Sequence, residues 1–348
     1  MWSPSEFRDL VSGRRRGLRA AVLRVGLRLV ETPYTWAVAW RNRRYDRGAS
    51  AVERVDVPVI SVGNLTLGGT GKTPMVEWIA RTLDRQGVRP VIVSRGYGAS
   101  DRENDEALEL RQKLPQVPHL QNPDRVAAAR EAIQRFGCGA LVLDDAFQHR
   151  RLARDLDIVL LDALEPFGFG HVFPRGTLRE PVAGLRRAQA VVLSRADLLT
   201  PVAREVIRRE ALAYAPQATW AEVVHAPVGL LSHDGRREPI EDLRGRRVAA
   251  FCGIGNPAGF RHTLGVCGGE LLGFREFPDH HRYLSAELDD LANWASGLEA
   301  TDVLCTQKDL VKIDRGRLGR TPLGALEIRL KFLAGQADLE RHLAEVVR

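Results

Sequence analysis

The sequence predicts an α/β protein: a mostly parallel sheet with helices on both faces, a smaller second α/β domain, and an amphipathic helix ahead of both. Three observations predict it. Short β-branched apolar runs alternate with helical patterns through the first two thirds of the chain. One of those runs, residues 59–64, feeds a glycine-rich turn that opens into a helix. Near residue 225 the texture changes and a second strand–helix alternation begins. The 348 residues are enough for two domains and ample core.

Taken in order, the first strand and its turn are followed by a helix over Met75–Gln86, stopped by Gly87. A strand over Pro90–Ser94 runs into Arg95-Gly96-Tyr97-Gly98. Glu103–Leu114 reads as helix. Asp124–Phe136 is a second helix, capped by Asn122 or Asp124 and ended by Gly137. Ala140–Leu143, Asp157–Leu161 and Ala190–Leu193 are buried strands, and Val202–Tyr214 is helical. In the second domain His233-Asp234-Gly235 is a hairpin turn. A strand over Val248–Cys252 enters Gly253-Ile254-Gly255-Asn256-Pro257, and a helix starts at Ala258. Gly269–Phe277 is a strand, and Ser285–Ser296 is a helix with Ser285 as its cap. Asp302–Cys305 and Leu326–Phe332 are strands, and Ala337–Val347 is a closing helix. The expected domains are a basic helical segment (1–48), the main α/β domain (49–225), a smaller domain (226–330) and a terminal helix (331–348) that could pack back on the first.

Charge is unevenly placed. Residues 1–48 carry eleven arginines against four acids, so the whole formal charge of +7 resides there and the remainder is neutral. Leu18, Val22, Val25 and Leu29 share one helical face, with Arg24 and Arg28 roughly opposite. Trp36 and Trp40 follow, then Arg41, Arg43 and Arg44. The arginines interrupt any apolar stretch long enough to span a bilayer, and no secretory cleavage pattern is present. An interfacial helix on an anionic membrane surface fits this composition. A helix packed on the protein with a solvated basic face is the alternative. No base-reading motif accompanies the arginines, so nucleic acid is not an expected partner. The four cysteines are scattered, without a C-x-x-C pair, which argues against a zinc ribbon or disulfide framework.

The most informative segment is Val59 to Pro74. A phosphate-binding loop of this P-loop NTPase-like kind points the backbone N–H groups of Gly68, Gly69, Thr70 and Gly71 at phosphate oxygens, over the positive end of the following helix. Lys72 would reach the terminal phosphates and the Thr73 hydroxyl would hold Mg2+. The first glycine of the usual G-x-x-x-x-G-K-[ST] template is replaced by Thr66. Leu141-Val142-Leu143-Asp144-Asp145 has the form of the strand whose carboxylate holds Mg2+ beside such a loop. Gln148 and His149 stand next to it. Arg179-Glu180-Pro181 could clamp phosphates and metal or be an exposed surface pair. Asp279-His280-His281 lacks a third ligand at zinc-like spacing, and a general-base role is the expectation if the two histidines face the cleft of the first domain. Ser194-Arg195-Ala196-Asp197 is only loosely similar to the N-K-x-D that reads guanine.

These words, in this order, resemble the tetraacyldisaccharide 4′-kinase family, the lipid A 4′-kinases of Gram-negative bacteria. The resemblance spans essentially the whole chain. It rests on Val62-Gly63-Asn64-Leu65-Thr66, Ser94-Arg95-Gly96-Tyr97-Gly98, Asp144-Asp145-Ala146-Phe147-Gln148-His149 and Leu178-Arg179-Glu180-Pro181. Gly253-Ile254-Gly255-Asn256-Pro257, Phe277-Pro278-Asp279-His280 and Thr306-Gln307-Lys308-Asp309 complete it. The family also carries Thr at the loop's first position. The resemblance implies transfer of the γ-phosphoryl of ATP to the 4′-hydroxyl of a tetraacylated glucosamine disaccharide 1-phosphate, at the cytoplasmic face of the inner membrane. It implies Lys72 and Thr73 on the phosphates and Mg2+, with Asp144, Asp145 and Glu180 around the metal. Gln148, His149 and Arg179 would line the same pocket. The family's catalytic aspartate, in a Gly-Asp-Glu word, corresponds here to Asp105 in Asn104-Asp105-Glu106, with His280 as its partner. The two domains would close over a cleft to exclude water. A P-loop GTPase or ATPase acting as a switch or metal chaperone is the rival reading; it leaves the Asp105–His280 pair and the basic helix unexplained.

Overall fold

A computed structural model of the chain describes residues 4–96 and 105–348. Tyr97, Gly98, Glu103 and Asn104 of the predicted elements and motifs lie outside the described residues. The chain divides into two compact units. The first comprises residues 1–96, 116–224 and 332–348; the second comprises 97–115 and 225–331.

The first unit begins with α1 (Pro4–Val11) and the 29-residue α2 (Leu18–Asp46). Then come β1 (Val59–Asn64), α3 (Lys72–Arg85) and β2 (Pro90–Ser94). The chain leaves for the second unit, where it forms α4 (Asp105–Lys113), and returns as β3 (His119–Gln121), α5 (Arg125–Phe136) and β4 (Ala140–Asp144). β5 (Leu156–Asp162), β6 (Ala190–Ser194), α6 (Pro201–Tyr214) and β7 (Thr219–Ser232) follow. The sheet of this unit has the order β7-β6-β5-β1-β4-β2-β3, and each adjacent pair is parallel. β1, β4, β5 and β6 are buried along their whole length. That burial on both faces is why they read as continuous apolar runs rather than alternating ones.

The predicted helix over Met75–Gln86 starts three residues earlier, at Lys72. Pro74 does not delay it, because a proline in the first helical turn lacks only an N–H that would have no intrahelical partner anyway. For α5 the choice between two caps resolves to Asp124, whose carboxylate accepts from the N–H groups of Val126 and Ala127. Gly137 closes that helix in left-handed backbone.

The second unit continues with β8 (Arg237–Pro239), antiparallel to β7 across the predicted 233–235 turn. β9 (Arg247–Cys252), α7 (Pro257–Gly265), β10 (Glu270–Glu276), α8 (Ser285–Gly297) and β11 (Asp302–Thr306) come next. α9 (Gln307–Leu310), β12 (Arg317–Leu318) and β13 (Thr321–Ala334) complete it, and the last residues of β13 with α10 (Gln336–Val346) belong to the first unit. Here the strand order is β10-β9-β11-β13-β7, and β9, β10, β11 and β13 are parallel. Ser285 is the first helical residue of α8 rather than its cap; the Glu287 carboxylate instead accepts from the Leu284 N–H at 2.9 Å. Each unit has its own apolar core. Phe147, Leu161 and Leu193 belong to one, and Phe251, Leu291 and Ile313 to the other.

The face of α2 predicted to be apolar points outward. Leu18, Val22, Val25 and Leu29 are exposed, and so are Trp36 (72%) and Trp40 (62%). The inward face is partly polar. Glu31 accepts from the Val172 N–H at 2.9 Å, and Asn42 donates to Glu180 at 2.8 Å. No helix of the described residues is long and apolar enough to cross a membrane.

Candidate active site

β1 ends at Asn64, and the chain turns through 65–71 into α3. Gly68 and Gly71 have φ of 113° and 86°, a region that disfavours side chains. The start of the turn is zipped onto a distant segment. Leu67 N–H donates to the Thr177 carbonyl at 2.7 Å, and Arg179 N–H donates to the Leu65 carbonyl at 2.6 Å. Thr66 and Leu178 form an antiparallel bridge between these bonds. The pairing fixes the backbone of Arg179 against the loop. Asn64 donates to the Thr66 carbonyl at 2.8 Å and accepts from Lys72 Nζ at 3.4 Å. The Thr70 hydroxyl is buried and has no hydrogen-bond partner among the described residues. Thr73 is half-buried in the first turn of α3.

β4 lies beside β1 with Asp144 opposite Val62. Asp145 follows in left-handed backbone (φ 52°). Its carboxylate accepts from Arg179 Nη1 at 2.7 Å and lies 3.6 Å from Lys72 Nζ. Burial alone would raise its pKa, but the Lys72 and Arg179 charges outweigh that and hold it below the ordinary carboxylate value. Gln148 donates both to the Asn64 carbonyl (2.9 Å) and to Glu180 (3.0 Å). Glu180 is fully buried and also accepts from Asn42 and, at 2.8 Å, from Arg187. His149 has its pKa lowered by burial and by Arg125, and its Nδ1 has no hydrogen-bond partner among the described residues. The unit therefore brings Asn64, Lys72, Asp145, Gln148 and Arg179 into one connected constellation, with Glu180 reached through Gln148.

The constellation suits a triphosphate. A cation stands at the helix start, left-handed glycines keep side chains out of the turn, and a buried hydroxyl awaits a partner. Among the described residues, no group of three or more His, Cys, Asp or Glu side chains is arranged to hold a metal by itself. Mg2+ does not need such a cage, because it is commonly bound by one or two carboxylates, water and substrate phosphates. Asp144, Asp145 and the Thr73 hydroxyl are suitable oxygen donors. Glu180 has its oxygens occupied by Asn42, Gln148 and Arg187. The segment compared with a guanine reader contributes differently: Arg195 pairs with Asp162 and donates to the Gly69 carbonyl at 2.8 Å.

In the second unit Asp105 opens α4 and His280 lies in the loop after β10. His280 Nδ1 is 2.8 Å and 3.0 Å from the two Asp105 oxygens. His280 has left-handed backbone (φ 60°), and its N–H donates to the Gly253 carbonyl at 3.2 Å. Asp105 is buried. Desolvation opposes its charge, yet the His280 hydrogen bond and the Lys308 and Lys312 ammonium groups keep its pKa below the ordinary value. The Asp105 hydrogen bond raises the His280 pKa. The neighbouring His281 turns away to Glu287 at 3.1 Å and stacks on Phe277.

The sequence profile of the LpxK family, tetraacyldisaccharide-1-P 4′-kinase, matches residues 23–348. The chain belongs to this family. It is 44% identical to the tetraacyldisaccharide 4′-kinase of Anaeromyxobacter dehalogenans (strain 2CP-C), over 95% of this chain and 92% of that protein. It is 38% identical to the enzyme of Syntrophus aciditrophicus, over 80% and 82% of the two chains. A crystal structure of LpxK from Aquifex aeolicus in complex with ATP is similar, with a TM-score of 0.73 at 28% identity, covering 94% of this chain and all of that one. Within this kinase family frame, sequence reasoning gave no role to Asn42, Asn64, Arg187, Lys308 or Lys312. Asn64 and Lys308 lie within the motifs 62–66 and 306–309 that carry the family resemblance, which was a usable signal. Asn42, Arg187 and Lys312 carried none, because their partners are distant in sequence or lie outside any motif.

Proposed function

We propose that this chain transfers the γ-phosphoryl of ATP to the 4′-hydroxyl of a tetraacyldisaccharide 1-phosphate, a step of lipid A biosynthesis. The observation that carries the reading is Asp105, a buried carboxylate hydrogen-bonded to His280 and kept in its basic form. A nucleotide switch would need the phosphate loop but not this pair. A sugar hydroxyl is a weak nucleophile, and a carboxylate within hydrogen-bond reach takes its proton as the new bond forms. The 4′-oxygen–phosphorus bond forms, the bond between the γ-phosphorus and the β–γ bridging oxygen breaks, and ADP leaves. His280 orients Asp105 and stabilises its charge. Lys72 and Arg179 neutralise charge developing on the transferred group, and the turn amides from Gly68 to Gly71 bind the phosphate oxygens. Thr66, Gly69, Thr70, Gln148 and His149 complete the nucleotide site. Thr73, Asp144 and Asp145 would hold Mg2+, which supplies further charge neutralisation; Glu180 would join them only by releasing one of its present partners.

The exposed apolar and tryptophan-bearing face of α2, beside an arginine-rich segment, supports peripheral attachment to an anionic membrane at the cytoplasmic face of the inner membrane. The deciding experiment is transfer from radiolabelled ATP to purified disaccharide 1-phosphate. The parent should label the acceptor, while Lys72→Ala and Asp105→Asn should each lose about 100-fold or more in kcat. Full activity in Asp105→Asn, or turnover of GTP without acceptor, would remove the reading.

A further inference from the structure

Asp309, which ends the Thr306-Gln307-Lys308-Asp309 word, is completely buried in the second unit. Its carboxylate accepts from the Thr306 hydroxyl at 2.6 Å, the Tyr283 hydroxyl at 3.0 Å and the Gly253 N–H at 3.1 Å. Lys312 Nζ lies 2.9 Å from the same carboxylate and 3.6 Å from Asp105 Oδ2. The Lys312 ammonium is buried and stands 5.5 Å over the Tyr283 ring. The contacts close a ring. Asp309 reaches Asp105 through Lys312, Asp105 bonds to His280, the His280 N–H donates to the Gly253 carbonyl, and the Gly253 N–H returns to Asp309. Both members of the Asp105–His280 pair are thus referenced to one buried carboxylate.

We propose that Lys312 is a positioning residue for phosphoryl transfer: anchored on Asp309, its ammonium holds the Asp105 carboxylate in place beside His280. The proposal rests on the reading of Asp105 as the general base. Among the described residues, five charged or titratable groups stand around Asp105. His280 and Asp279 come from the loop after β10, Lys308 from α9, Lys312 from just beyond it, and Glu106 from its own helix. Lys308 is 4.0 Å from Asp105 but is shared with Glu106 at 3.1 Å and Asp279 at 3.8 Å. Lys312 has only Asp309 as a competing carboxylate partner among these ion pairs. Neutralising Lys312 leaves Asp105 with His280 and a fraction of Lys308, so its proton should leave at higher pH. The limb that reports this belongs to the coupled Asp105–His280 pair rather than to either residue alone.

The test is the pH dependence of kcat/KM for transfer to the glycolipid acceptor, measured on full-length parent, Lys312→Gln, Lys312→Arg and Asp105→Asn. Lys312→Gln should move the acid limb up by about one pH unit, with the KM for ATP unchanged. Lys312→Arg, which keeps the charge, should restore the limb to within a few tenths of the parent. A loss in Lys312→Gln that is uniform across pH overturns the proposal. Failure of Lys312→Gln to fold while Lys312→Arg folds also overturns it, because it marks a structural ion pair. An active Asp105→Asn would remove the base itself, whereas an inactive Asp105→Asn beside an unshifted Lys312→Gln profile removes only the positioning role.

Discussion

At the scale of single residues, the site is defined as much by what is absent as by what is charged. A Cβ placed on Gly63 would sit 2.5 Å from Phe147 Cβ and 2.9 Å from the Phe147 backbone nitrogen. Glycine is what lets the segment after β4, which carries Asp145 to His149, lie directly on β1. Because backbone is one of the clashing atoms, rotamer changes cannot relieve the contact. Gly63→Ala should therefore destabilise the protein by about 1–3 kcal/mol. The measurement is the denaturant midpoint, which should fall with little change in slope. Asp145 follows a related logic: its left-handed backbone aims the carboxylate between Lys72 and Arg179, and Arg179 is there only because residues 177–179 zip onto 65–67.

At the scale of elements, α2 leaves Leu18, Val22, Val25, Leu29, Trp36 and Trp40 in solvent, while the four residues it buries are mixed, Ala20 and Val38 beside Glu31 and Asn42. Leu18 is 82% exposed, whereas Glu31 and Asn42 are buried. A helix stabilised only by burial of its own apolar face would be arranged the other way. Under the proposed membrane attachment, these exposed apolar residues would meet lipid. Removing residues 1–30 would strip buried Leu10, Val11 and Ala20 from the first unit, so point substitution on the outer face is the cleaner test. Val22→Glu combined with Trp36→Ala should reduce co-sedimentation with vesicles containing anionic lipid by about tenfold, while ATP binding is retained. Unchanged sedimentation would return α2 to the role of an ordinary packed helix.

At the scale of the whole molecule, the constellation around Lys72, Asp145 and Arg179 belongs entirely to one unit and the Asp105–His280 pair entirely to the other. Asp105 reaches its unit because the chain leaves the first unit after residue 96 and returns at 116. This division predicts separable effects. A non-hydrolysable ATP analogue at about 100 times its Kd should add about 2.7 kcal/mol of stability to the parent. Thermal melting should show the same gain in Asp105→Asn and His280→Ala, and little or none in Lys72→Ala. An equal loss in all three variants would mean that nucleotide binding depends on both units.

The sequence by itself determined the local parts. Gly71-Lys72-Thr73 after a buried strand, the Asp144-Asp145 strand end and the strand–helix alternation are all short-range patterns, because loop chemistry and helix periodicity are set by neighbouring residues. Asp105 and His280 could be paired from sequence only through resemblance to known kinases; no spacing rule joins residues so far apart. Tertiary structure alone decided that Glu180 is gripped by Asn42, Gln148 and Arg187, that Arg195 holds the Gly69 carbonyl, and that Lys312 bridges Asp309 and Asp105. Those contacts arise from where the fold brings distant segments together, and a charged side chain carries no mark in the sequence of which distant partner will compensate its burial.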